Sequence, residues 1–99
     1  MTSNTNPISV NYSDEKLRIL VEEYITQQKI EFDFNGLCSH ILYWAMEEGR
    51  TANAGKTMYE SNELQQSDKN RLHLILEQIA KDGRITKVAG DDERFQKQS

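Results

Sequence analysis

Residues 67–97 read Ser67-Asp68-Lys69-Asn70-Arg71-Leu72-His73-Leu74-Ile75-Leu76-Glu77-Gln78-Ile79-Ala80-Lys81-Asp82, then Gly83-Arg84-Ile85-Thr86-Lys87-Val88-Ala89-Gly90-Asp91-Asp92-Glu93-Arg94-Phe95-Gln96-Lys97. Two periods meet at Gly83. Before it, Leu72, Ile75, Leu76 and Ile79 recur at helix spacing. After it, Ile85 and Val88 are set against Arg84, Thr86 and Lys87, which predicts a strand. Ala89-Gly90-Asp91-Asp92 predicts a turn and Glu93–Lys97 a returning strand. Ser67-Asp68 is expected to cap the helix start, and Gly83 sits where a left-handed residue closes a helix.

Working back towards the N-terminus, Lys29–Phe34 alternates, with Ile30, Phe32 and Phe34 on one side and Glu31 and Asp33 on the other. A short half-buried strand is expected there. Asp33 or Asn35 then caps a helix whose buried face is Leu37, Cys38, Ile41, Leu42 and Ala45. Tyr43, Trp44 and Met46 widen that face, so this helix is either central or covered by a partner. Further back, Ser13 is a good N-cap and Asp14 and Glu15 suit a positive helix start. Tyr12 can staple onto Leu17. Leu17, Leu20, Val21, Tyr24 and Ile25 form the stripe of this first helix. Residues 1–12, rich in Ser, Thr and Asn, are expected to be a disordered tail, with a single domain over 13–99. Gly49–Gly55 is weakly patterned. Thr57–Gln66, with Met58, Tyr59 and Leu64, suits a short helix or an ordered loop.

The order helix, strand, helix or helices, helix, strand, turn, strand resembles the winged-helix family. The likeness covers roughly residues 13–97, and its specific part is Ser67–Lys97. It implies a small α+β domain with three to four helices, a short antiparallel sheet and a C-terminal hairpin to which the first strand adds. The expected core is Leu17, Leu20, Tyr24, Phe32, Leu37, Ile41, Leu72, Ile75, Leu76, Ile79, Ile85 and Phe95. The resemblance also implies double-stranded DNA as partner and a role in transcription regulation. The last helix would enter the major groove, and the hairpin would touch the backbone. Lys69, Asn70, Arg71 and His73 would then face the bases, and Arg84, Lys87, Arg94 and Lys97 the phosphates. Dimerisation through the first two helices, common in this family, makes a homodimer a further expectation.

Charge weakens that implication. The 99 residues carry a formal net charge of -4, against the basic footprint usual for DNA binding. Residues before Gly49 hold about -5 of it and those from Arg50 onward about +1. Asp91-Asp92-Glu93 at the hairpin tip would repel phosphates. The alternative is a protein-interaction, adaptor or inhibitor module that uses the acidic surface and a face of Tyr43, Trp44, Met46, Met58 and Tyr59, residue types enriched at interface cores.

Chemistry of other kinds finds little support. Ala54-Gly55-Lys56-Thr57 resembles the end of a phosphate-binding loop, but five residues separate Gly49 from Gly55 where the motif needs four, and it follows a helix instead of a strand. Cys38, His40 and His73 lack the number and spacing of a zinc set. Glu22-Glu23 and Glu47-Glu48 lie on helix exteriors. A non-enzymatic protein without cofactor or metal is therefore expected. The single cysteine fits a reducing compartment. No apolar run nears the roughly 20 residues that span a bilayer, and the first residues lack the features of a secretion signal. Those points predict a cytoplasmic protein that does not enter a membrane.

Overall fold

The computed structural model describes residues 6–51 and 62–98. In chain order its elements are β1 (Asn6–Ile8), α1 (Asp14–Gln27), β2 (Glu31–Asp33), α2 (Phe34–Glu47), β3 (Asn62–Leu64), α3 (Gln66–Lys81), β4 (Ile85–Val88) and β5 (Asp91–Lys97). The described residues form a small α+β domain of three helices with a short antiparallel sheet, to which a two-stranded parallel ladder is added.

Three helix boundaries have a clear local cause. The Ser13 hydroxyl accepts the Lys16 N–H at 3.1 Å and so caps α1. Asp33 does the same for α2, its Oδ1 accepting the Gly36 N–H at 2.7 Å. A Cβ at Gly36 would lie 2.5 Å from the Tyr24 hydroxyl, so any larger residue there would make that side chain shift. At the end of α3, Gly83 has φ +79°. Its N–H meets the Ala80 carbonyl at 2.9 Å, and the Arg84 N–H reaches the Ile79 carbonyl at 3.4 Å. This paired closure satisfies two carbonyls that a helix end otherwise leaves open, and it turns the chain directly into β4.

The antiparallel sheet has the order β2-β5-β4. Phe32 pairs with Phe95 across β2 and β5, flanked by Glu31 with Gln96 and Asp33 with Arg94. Between β4 and β5 the register runs from Ile85 with Lys97 to Val88 with Asp91, with an irregularity between Lys87 and Val88. The expected core residues are buried, except Tyr24, which is partly buried against the cluster.

Four expectations are corrected. Residues 6–12 are not a disordered tail. Asn6–Ile8 runs parallel to Asn62–Leu64, and Val10 bridges Thr51. The cause is alternation, since Ile8, Val10 and Tyr12 all bury into the core while Pro7 and Asn11 stay exposed. Asn62–Leu64 is accordingly a strand and not part of a short helix; residues 57–61 lie outside the described residues. Ile30 is 66% exposed, because the strand starts only at Glu31. Finally, Ser67-Asp68 does not cap α3. Gln65 occupies the cap position without a side-chain bond, and Asp68 lies within the first turn, 3% exposed.

Candidate nucleic-acid interface and aromatic face

Of the six cations expected to meet DNA, Lys69, Arg71, Arg84 and Arg94 are held by carboxylates of the same fold, and Lys87 and Lys97 are not. Lys69 Nζ donates to Glu63 Oε1 at 2.7 Å, which raises the lysine pKa. Arg71 is used on three sides. Its Nε donates to Asp14 Oδ1 at 2.9 Å, its Nη1 to Asp68 Oδ1 at 2.9 Å, and its Nη2 to the Tyr12 carbonyl. Asn70 is exposed and accepts from Gln66 Nε2 at 3.0 Å. The His73 ring stacks on Phe34 with centroids 4.0 Å apart and an interplanar angle of 13°.

On the hairpin, Arg84 Nη1 donates to Glu22 Oε1 at 2.9 Å, and Arg94 Nη1 donates to Glu31 Oε1 at 2.9 Å. Glu22 also takes Arg18 Nε at 2.9 Å, and these two guanidinium bonds hold its carboxyl below the usual range. Lys97 Nζ donates to the Gln28 carbonyl at 2.8 Å, so it too serves the fold. Lys87 is exposed and has no hydrogen bond or ion pair among the described residues.

Asp68 explains why Arg71 is immobilised. Its carboxylate is nearly inaccessible, and its Oδ2 accepts the Val10 N–H at 3.0 Å while Oδ1 accepts from Arg71. One carboxylate thereby ties β1 and its extension to the first turn of α3. From the sequence Asp68 is expected only to cap the helix start together with Ser67. Its partner Val10 lies 58 positions away, so no local pattern carries the signal.

The aromatic face is organised differently. Tyr43 is 58% exposed and Trp44 is 40% exposed on the outer side of α2. Their rings meet edge to face at 5.9 Å. Met46 is partly buried against the core and so belongs to packing more than to the surface. Met58 and Tyr59 lie outside the described residues. Behind Trp44 runs a continuous ring series: Trp44 to His40 at 6.4 Å, His40 to Tyr24 at 5.0 Å and Tyr24 to Phe32 at 5.8 Å. The exposed pair is therefore backed by contacts that lead into the sheet, which makes it a rigid platform.

His40 is the polar member of that series, and its buried Nε2 has no hydrogen-bond partner among the described residues. Burial lowers its pKa, opposed in part by the Glu23 carboxylate. The folded chain thus holds His40 neutral at pH values where the unfolded chain binds a proton. Its contribution to stability is complete above the unfolded value, about 6.5. It is lost as pH falls from there towards the depressed folded value. Urea midpoints at pH 7.5 and 5.5 are expected to show lower stability at the acid value, and His40→Gln should flatten the difference. An unchanged slope in His40→Gln would assign the effect to other groups.

Cys38 is buried, and burial pushes its thiol up to about 12, so it is a packing residue without nucleophilic character at neutral pH. Among the described residues no group of three His, Cys, Asp or Glu side chains is placed to hold a metal ion. No helix among them is long and apolar enough to cross a membrane. No protein-family model, no curated protein and no solved structure matches this chain.

Proposed function

We propose that this chain is a non-enzymatic protein-interaction module on a winged-helix scaffold, engaging its partner through the Tyr43–Trp44 edge of α2. The sheet order β2-β5-β4, in which the strand after α1 joins the C-terminal hairpin, supports the scaffold reading. The observation that carries the functional reading is the contrast between the two candidate surfaces. The aromatic pair stands exposed on a ring-backed platform, while Lys69, Arg71, Arg84 and Arg94 already hold carboxylates. DNA binding through those residues asks each cation to exchange a carboxylate for a phosphate, on a chain of net charge -4. That exchange removes much of the counterion-release gain that drives such complexes. An exposed tryptophan and tyrosine require no exchange, and such residues dominate interface hot spots.

The test compares wild type with Trp44→Ala, both shown to be folded by thermal melting. Partner affinity should fall by about 2 kcal/mol, roughly thirtyfold, as for a hot-spot residue. Mixed duplex DNA at low salt should migrate unchanged in the presence of either protein. A DNA shift that weakens steeply with salt and disappears in Lys69→Ala/Arg71→Ala would replace this reading with the nucleic-acid one.

A further inference from the structure

A second surface is built differently from the α2 edge. Between α1 and α3 lies a groove of about 430 Å³, with Ile19 and Leu74 on its walls and Ile75 at its base. Ile19 is 52% exposed and Leu74 60% exposed, whereas the other aliphatic residues of the two helices are buried or half-buried. Both fall outside the apolar stripes of their helices, so the core does not require them. Two large aliphatic side chains on adjacent helices, one on each side of a groove, suit a helix lying between them.

Charge decides which helix. The guanidiniums at the groove are Arg18 and Arg71, and both are held. Arg18 Nε bonds Glu22 at 2.9 Å and its Nη2 lies 3.7 Å from Asp82, while Arg71 lies between Asp14 and Asp68. Glu15, on the groove, and Glu23, beside Ile19 in the adjoining depression, have no hydrogen bond or ion pair among the described residues. They lie two turns apart on α1, about 12 Å along its axis. On α3 the exposed Glu77 and Lys81 also lack side-chain partners among the described residues and offset each other, so the charge left for a partner to meet is net negative. A second copy of this chain would bring the same carboxylates against themselves, which disfavours self-association here.

We infer that the α1–α3 groove is a docking site for an amphipathic helix of a partner protein that presents aliphatic anchors to Ile19 and Leu74 and a lysine- or arginine-rich flank to Glu15 and Glu23. This site is separate from the Tyr43–Trp44 edge, and the two together would let the module join two proteins.

Two synthetic helical peptides with identical leucine anchors, one flanked by lysine and one by glutamate, test the inference against the full ¹⁵N-labelled chain. The lysine peptide should bind, with amide shifts centred on Ile19 and Leu74, and the glutamate peptide should bind at least about tenfold more weakly. Leu74→Ser and Ile19→Ser, both at exposed positions that leave folding intact, should each reduce the lysine-peptide affinity about tenfold. Glu15→Lys/Glu23→Lys should reverse the preference between peptides, and Trp44→Ala should leave it unchanged, which separates this site from the proposed function. Equal binding of the two peptides, shifts centred on Trp44, or no saturable binding would overturn the inference. So would a concentration-dependent dimer abolished by Leu74→Ser, because the groove would then belong to a second copy.

Discussion

Replacing Asp68 by alanine is expected to destabilise the fold by about 2–4 kcal/mol, below the top of the range for a buried ion pair because Arg71 is partly exposed and keeps other partners. The loss has two sources. Arg71 keeps its bond to Asp14 but loses its most buried counter-charge, and the Val10 N–H is left unpaired in the interior. An unmet buried donor costs about 1–3 kcal/mol by itself. For a chain of 99 residues, at about 4–8 °C per kcal/mol, the melting temperature should fall by at least about 8 °C. The damage should also have a location. β1 is held to the rest by the β3 ladder, by the Asn11–Arg50 and Gln65–Ile8 backbone bonds and by Asp68, so hydrogen exchange should accelerate first across residues 6–12. Asp68→Asn keeps an acceptor for Val10 and should lose less. Urea unfolding of the three proteins decides the matter; an alanine variant within 1 kcal/mol of wild type would show that the carboxylate is not what fastens the N-terminal segment.

The same network shows what sequence could and could not reveal. The handover at Gly83 was legible because each part of it is local: a helix stripe, a glycine with positive φ and an alternating strand within a few residues. Ser13 and Asp33 as caps were legible for the same reason. The N-terminal strand was not. Its apolar residues, Ile8, Val10 and Tyr12, are spaced for a strand but diluted by Ser, Asn and Pro. Its ladder partner, Asn62–Leu64, lies more than fifty residues away, and Val10 bridges Thr51. Arg71 illustrates the cost for function. By type and position it suits a base-reading side chain, and only the fold brings Asp14, Asp68 and the Tyr12 carbonyl around it. Trp44 is the reverse case. A helix apolar over much of its circumference left open whether its aromatic residues were core or interface, and the exposure of Tyr43 and of Trp44, which flanks the buried Leu37, Ile41 and Ala45, resolves this.

Neutralised cations and exposed apolar residues are two sides of one physical economy in this chain. Carboxylates from α1, β2 and β3 reach arginines and a lysine of α3 and the hairpin, and apart from the Glu63–Lys69 pair these are contacts between elements distant in sequence. Surface pairs of this kind contribute little individually, commonly about 0–1 kcal/mol. Their larger consequence is to cancel the field that would attract a polyanion. Among the described residues the exposed large apolar side chains are Ile30, the Tyr43–Trp44 pair and the Ile19 and Leu74 of the groove.

Phe95→Ala is expected to cost about 3–5 kcal/mol, comparable to the loss of Asp68 but by a different route. Phe95 is 2% exposed on β5, the central strand, which pairs with β2 on one side and β4 on the other. Its ring stacks on Phe32 with centroids 5.5 Å apart and an interplanar angle of 17°. Phe32 in turn meets Tyr24 of α1 edge to face. Truncation therefore empties the point where the sheet meets α1, and the cavity adds to the lost transfer free energy. Phe95→Leu, which leaves less empty volume, should lose well under half as much. A Phe32→Ala/Phe95→Ala double-mutant cycle should return a coupling of about 0.5–1.5 kcal/mol for the ring pair. Because the ring series continues through Tyr24 and His40 to Trp44, Phe95→Ala should also alter the emission of Trp44, the only tryptophan, while the chain is still folded. Full retention of the wild-type spectrum in a destabilised but folded Phe95→Ala variant would mean that the aromatic platform on α2 is mechanically independent of the sheet, and the rigidity argued for the docking edge would have to come from α2 alone.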